Sequence, residues 1–225
     1  MIFEGYTPFV TDPIISWDAP AAKKFRFVGG DLALDFTNTM GGKRGAVARE
    51  KLHTYSDLIS WCSQARLIDK SVAEELALNA ARSPEEAASV LIRAVELREA
   101  IYRIFAAVVE TRRPSVDDIR LLNSELAAGL GRLRVVAGKG KTDFEWTWSH
   151  ETRALDQVLA PVARAAADLL ISHGLLTHIH RCVADNCGWL FIDSSKNHSR
   201  RWCDMRDCGN RAKVRRHRMK QRRKK

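Results

Sequence analysis

Cys182-Val183-Ala184-Asp185-Asn186-Cys187, followed after fifteen residues by Cys203-Asp204-Met205-Arg206-Asp207-Cys208, decides how the end of this 225-residue chain folds. Four residues separate the cysteines of each pair, so two short loops each offer two sulfurs. Clustered cysteines in a chain without a secretory signature read as metal ligands before disulfides. Zinc takes four soft donors at tetrahedral corners, with thiolates at ~2.3 Å. Between the pairs, Gly188 to Asp193 reads as a strand, Ser194 to Asn197 is turn-like, and His198 to Trp202 returns, which predicts a hairpin. After Cys208, residues Asn210 to Lys220 contain no Gly or Pro and suit a helix. Knuckle, hairpin, knuckle and helix is the order of a treble-clef-like zinc module. Fewer than fifty residues with few aliphatics need such a staple to hold a fold. A set of four thiolates is closed, so the expected metal is structural zinc on Cys182, Cys187, Cys203 and Cys208, not a catalytic ion. His178, His180 and His198 lie nearby and read as surface or strand residues.

The charge follows the same boundary. Residues 177–225 hold 15 Lys/Arg against 4 Asp/Glu, while the first 176 hold 22 against 23, so the whole +10 surplus sits in the last fifth of the chain. Ten of the fifteen residues from Arg211 to Lys225 are Lys or Arg. On a helix they cover most of the circumference and leave only Ala212, Val214 and Met219 as apolar contacts. Self-repulsion opposes such a helix, and a polyanion would relieve it with release of counterions. The candidate nucleic-acid contacts are Arg200, Arg201, Asn210, Arg211, Lys213, Arg215, Arg216 and Arg218. Asn210, Arg211 and Arg215 are placed to reach base edges. DNA is preferred to RNA as the partner, and an RNA- or protein-interaction module is the alternative.

Working back toward the N-terminus, residues 25–176 read as a helix-rich domain, preceded by an extended arm over 1–24 that carries Pro8, Pro13 and Pro20. Phe25 to Asp31 suggests a short strand into a turn, Leu32 to Thr39 a short helix, and Gly41-Gly42-Lys43-Arg44-Gly45 a flexible loop without phosphate-loop spacing. Leu58, Ile59 and Cys62 share the face of a helix from Tyr55 to about Leu67. Ser71 to Glu74 and Ser83 to Glu86 have the form of capping boxes, the second with Pro84 at the first helical position. The helix after Pro84 runs to about Thr111 and buries Val90, Ala94, Leu97, Ile101, Phe105 and Val108. Another, opened at Ser115, ends near Gly129. Residues 132–149 alternate across Gly138-Lys139-Gly140 and predict a β-hairpin. A last helix carries Leu155, Val158, Leu159, Val162, Leu169 and Leu170, is interrupted or started by Pro161, and closes at Gly174. The expected class is therefore mainly α with a small β component (α+β).

Cys208-Gly209-Asn210-Arg211, with Arg200-Arg201-Trp202-Cys203 and Cys187-Gly188-Trp189-Leu190-Phe191 before it, resembles the CGNR zinc finger. Leu34-Asp35-Phe36, Asn38-Thr39 and the helical body resemble the ABATE-type domain that precedes such a finger. The resemblance covers about residues 25–218 and implies a stress-linked transcription regulator with zinc on the four C-terminal cysteines. Under that reading the larger domain dimerises or binds a small effector. Asp35, Asn38, Thr39 and Arg98 are the candidate effector contacts.

No run approaches the ~18 uninterrupted apolar residues of a membrane span, and the N-terminus lacks a secretory n-region and h-region. The expected location is the cytoplasm, at the nucleoid if DNA is bound. Residues 1–176 contain no recognisable nucleophile–base arrangement. A nuclease built on His198 and His217 would need a second metal set that the sequence does not offer. A non-enzymatic role is expected.

Overall fold

A computed structural model describes residues 24–140, 142–149 and 154–222. The arm read over 1–24 lies outside them except for Lys24.

The centre of the fold is a long amphipathic helix, α4 (Pro84–Val109). Pro84 stands in its first turn, where the missing N–H costs nothing. Leu97, Ile101, Ile104 and Phe105 are sealed from solvent, and Val90 and Ala94 extend the same stripe. Around it pack α1 (Leu32–Thr37), α2 (Tyr55–Gln64), α3 (Lys70–Arg82), α5 (Val116–Leu130) and α6 (Leu159–Ile171). Burial of this face is what stabilises α4, because isolated helices gain little from propensity alone. Side-chain oxygens close several N-termini: Asp31 caps α1, Ser115 caps α5, and Thr54 with Asp57 forms a reciprocal capping box on α2.

Several sequence expectations are corrected. The Ser71 box is not used, since α3 already begins at Lys70 and Asp69 caps it by accepting the Val72 amide. Ser83 precedes Pro84 at a helix start but makes no side-chain cap bond. Phe25 to Asp31 forms no strand. Its backbone is held by the Asp35 carboxylate and by Gln64. The supposed flexible loop at 41–45 is a tight hairpin, β1 (Gly41–Lys43) against β2 (Val47–Arg49), with Gly45 at φ +76° in its turn. The last helix ends at Ile171, not at Gly174. Gly174 lies inside a further short turn of helix, α7 (His173–Leu176). Pro161 is the third residue of α6, which a 3₁₀ turn, Leu155–Val158, leads into.

α5 ends at Leu130, beside Gly129 as read, and Gly129 also allows α5 and α6 to touch. A Cβ at that position would stand 2.3 Å from Cβ of Ala160. The predicted hairpin at 132–149 is present as β3 (Leu133–Ala137) and β4 (Phe144–Trp148), with Val135 opposite Trp146. It is only lightly attached, and Phe144 and Trp146 are 73% and 60% exposed. The class is as read: mainly helical, with three small antiparallel pairs among the described residues.

Candidate metal centre and nucleic-acid interface

The C-terminal hairpin exists, but its strands are not those expected. β6 (Leu190–Ile192) pairs with β5 (Ile179–Arg181), ahead of the first cysteine, in the register Ile179–Ile192 and Arg181–Leu190. Residues 198–202 form no strand. The Asp193 carboxylate takes the Arg200 amide at 2.7 Å and the Ser195 amide at 2.9 Å, so this backbone closes a turn rather than a ladder. His198 sits in that turn at φ +44° with its ring stacked on His178, and it lies outside the ligand set.

The first cysteine pair therefore occupies the loop of the β5–β6 hairpin. Of the second pair, Cys203 precedes and Cys208 lies within a single π-helical turn (Met205–Gly209) that feeds α8 (Asn210–Arg222). Four buried Sγ atoms, from Cys182, Cys187, Cys203 and Cys208, lie within 4.8 Å of one another. Cys187 and Cys203 are 3.8 Å apart, and Cys203 and Cys208 3.7 Å, far beyond any disulfide bond. A tetrahedron of thiolates at ~2.3 Å from its centre has edges of ~3.8 Å, so the donor set fits one zinc ion. Without a cation the four sulfurs cannot ionise together. Hydrogen bonds from Cys187 and Cys203 favour the thiolate at Cys182, and the same crowding pushes Cys187 and Cys203 up. Backbone amides of Ala184 and Trp189 aim at the sulfurs of Cys182 and Cys187, and the Arg211 guanidinium donates to Cys208 Sγ at 3.1 Å. Such donors orient the ligands and offset their charge.

These sulfurs sit in a small cluster of their own with Trp189 and Phe191, but the strands beside them do not stand apart from the helical body. Ile179, Leu190 and Ile192 belong to the main core. Polar contacts repeat the junction. The Ile192 amide donates to Gly29 O at 2.7 Å, the Gly188 amide to Gly42 O at 3.1 Å, and Trp189 Nε1 to Met40 O at 2.8 Å. Arg181 pairs with Glu110 beyond the end of α4, and Arg26 pairs with Asp204 and Asp207 of the second knuckle.

The sequence model of the ABATE family, described as "Putative stress-induced transcription regulator", matches residues 30–173. The chain belongs to this family. A second model, the CGNR zinc finger, matches residues 178–221 and so takes in all four cysteines. No curated protein matches the chain.

In this ABATE protein each position of the Cys208-Gly209-Asn210-Arg211 signature has a separate physical role. Cys208 is a ligand. Gly209 leaves room for Met205 Sδ, 2.8 Å from where a Cβ would stand. Asn210 opens α8 and donates to Arg206 O at 3.1 Å. Arg211 bridges the Cys208 sulfur and Asp207.

The eight candidate nucleic-acid residues divide into two groups. Arg200 is committed to the fold. Its guanidinium donates to the carbonyls of Trp202, Cys203, Ile192 and Val28 and lies over the Phe191 ring. Asn210 and Arg211 act within the knuckle, and Arg215 pairs with Asp185. Arg201, Lys213, Arg216 and Arg218 are exposed, and none has an acidic partner among the described residues. Arg222, which the sequence reading left out, joins them at the end of α8. It could have been found as the next basic residue after Arg218 on the i+4 face.

The candidate effector residues are structural. Asp35 is buried, and its Oδ1 receives the Val28 and Gly29 amides at 2.8 and 2.7 Å. Burial nevertheless pushes its pKa up to about 6. Asn38 pairs with Leu190 of β6, and the Thr39 hydroxyl donates to Phe36 O. Arg98 is fully buried and forked onto Glu50 at 2.6 and 2.7 Å, with Glu99 on its Nε. None of the four lines the cleft beside the zinc module or the groove between α2, α3 and α4. Their polarity in an apolar setting, which suggested a ligand, instead satisfies buried groups of the protein itself.

Proposed function

We propose that this chain is a non-enzymatic regulator that binds DNA through α8, with the zinc centre holding that helix rigidly against the ABATE body. One observation carries the reading. A helix with seven Lys or Arg among its thirteen residues and no acid is anchored at its start, through Arg211 and the preceding Cys208, to a closed metal site. Exposed like charges on one helix repel and contribute nothing to folding. Phosphates are the partner that turns this cost into affinity, by neutralisation and counterion release. A zinc ion with four thiolates has no open position for substrate or water, which argues for a scaffold role.

The test is a salt titration of duplex-DNA binding by the zinc-loaded chain and by a variant with Arg216, Arg218 and Arg222 changed to Ala. The parent is expected to bind with a steep salt dependence. Each lost phosphate contact should flatten the log–log slope by ~0.9, about two to three units for the triple variant. Equal slopes for the two proteins would refute the role of α8. Competition with structured RNA in the same assay separates DNA from RNA as the preferred partner.

A further inference from the structure

A cleft of about 440 Å³ lies between the β1–β2 hairpin of the body and the zinc module. One wall is Gly41, Gly42, Arg49 and Lys51. Arg211 and Arg215 of α8 form the other, with Trp189 and two of the cysteines between them. Five cations line it, counting Arg26, against two carboxylates, Asp185 and Asp207. The walls are fixed to each other by the Gly188 amide on Gly42 O and the Trp189 indole on Met40 O. Gly41 is paired with Arg49 in register, and neither Gly41 nor Gly42 has a side chain to fill the space.

The cations differ in how firmly they are held. Arg211 screens the anionic metal centre at Cys208, and Arg26 is shared by Asp204 and Asp207. At the rim, Arg215 pairs with Asp185 where both side chains are more than half exposed, at 52% and 60%. A pair in that setting is worth little and exchanges readily. Arg49 is exposed and has no acidic partner among the described residues. The rim thus offers one unpartnered cation from the body and one weakly held cation from α8. It is also continuous with the unpaired cations further along that helix.

We propose that this rim is a phosphate site shared by the two parts of the chain: Arg49 and Arg215 together bind a backbone phosphate of the nucleic acid, and Asp185 occupies its place in the free protein. The inference rests on α8 being the nucleic-acid element and extends it. The ABATE body takes part in binding, and register on the DNA depends on how the β1–β2 hairpin sits against the finger. Phosphate contacts of this kind position a protein on the duplex without reading sequence.

Two single variants of the full zinc-loaded chain test it, with zinc content and melting temperature as checks that the fold is kept. Arg49→Ala should weaken duplex binding ~5–10-fold near 0.1 M salt and flatten the slope by ~0.9. Asp185→Asn should do the reverse, tightening binding ~2–5-fold by releasing Arg215, the range expected of an exposed ion pair. A purely structural role for either residue predicts no gain from Asp185→Asn. If Arg49→Ala keeps the parent's affinity and slope, the shared site is wrong, and the α8 reading still stands if the Arg216/Arg218/Arg222 variant loses binding. If that triple variant binds like the parent, α8 is not the interface, and the site proposed here falls with it.

Discussion

The side-chain amide of Asn38 pairs with both backbone groups of Leu190: Nδ2 donates to the carbonyl at 2.9 Å and Oδ1 accepts from the amide at 3.1 Å. The two residues are 152 positions apart in sequence. An asparagine just beyond α1 thus does for the free edge of β6 what a neighbouring strand would do. It joins the helical body to the zinc finger within a buried setting.

Asn38→Ala would leave the Leu190 N–H and C=O buried without partners. At ~1–3 kcal/mol for each unsatisfied group, the expected loss is ~2–6 kcal/mol. Asn38→Asp keeps the acceptor, removes the donor and buries a charge, so it should be no milder. Urea unfolding measures both. A loss below ~0.5 kcal/mol for Asn38→Ala would show that water replaces the pairing.

Metal removal should not melt the finger alone. Cys203→Ser, or chelation of the wild-type chain, is expected to remove about one equivalent of zinc. Structural zinc sites couple metal binding to folding. Because Ile179, Leu190 and Ile192 lie in the main core, the loss should spread into the contacts of α1 and α4. Amide hydrogen exchange reads this directly. Faster exchange is expected in Leu32–Thr37 and in the half of α4 beside β5, besides the finger itself. Full protection of α1 after zinc loss would contradict it.

Two acids should respond to pH with opposite signs. Burial alone would raise the Glu50 pKa, but the Arg98 fork and the amides of Leu52 and Lys51 outweigh it and hold it at about 2. Its folded value is below the unfolded ~4.3, so its contribution is complete above that pH and disappears as the pH falls toward 2. Asp35 is the reverse. Burial lifts its folded pKa to about 6 despite the Gly29 and Val28 amides. The native state then holds the proton more tightly, and stability declines as pH rises from ~4 to ~6. Glu50→Gln should lose ~3 kcal/mol near neutrality, because fully buried Arg98 loses its forked partner and keeps only Glu99 on its Nε, and should flatten the acid limb below pH ~4.5. Asp35→Asn should remove the decline between pH ~4 and ~6. Urea midpoints from pH 2 to 7 check both, and parallel curves for parent and variant would refute the assignment.

The elements that the sequence displays well are those whose cause is local. The stripe Val90, Ala94, Leu97, Ile101 and Phe105 has the period of its own helix, and Pro84 marks that helix's start. The Leu133–Trp148 hairpin alternates on its own account. Where a partner is distant, the same signals fall short. Gly129 marks the helix end well enough, but its second role, the close approach of Ala160 across a helix crossing, is not visible in its neighbours. His198 to Trp202 looks like a return strand, but its backbone is taken by Asp193, and the true partner, Ile179–Arg181, is three residues long and too short to show a period. Asp35, Asn38, Thr39 and Arg98 could be seen as polar residues among apolar neighbours. Whether such residues meet a ligand or one another is not encoded in spacing.

By itself the sequence determined the metal centre, the basic helix and the helical class. Ligand spacing, charge density and hydrophobic period are all properties of short stretches of chain. Only the tertiary structure decided that the finger shares the core of the body, that Arg200 is consumed by carbonyls while Lys213, Arg216 and Arg218 stay open, and that Arg49 and Arg215 line one cleft. Those outcomes depend on which surfaces meet and which buried hydrogen-bonding groups remain to be satisfied. No single segment carries that information.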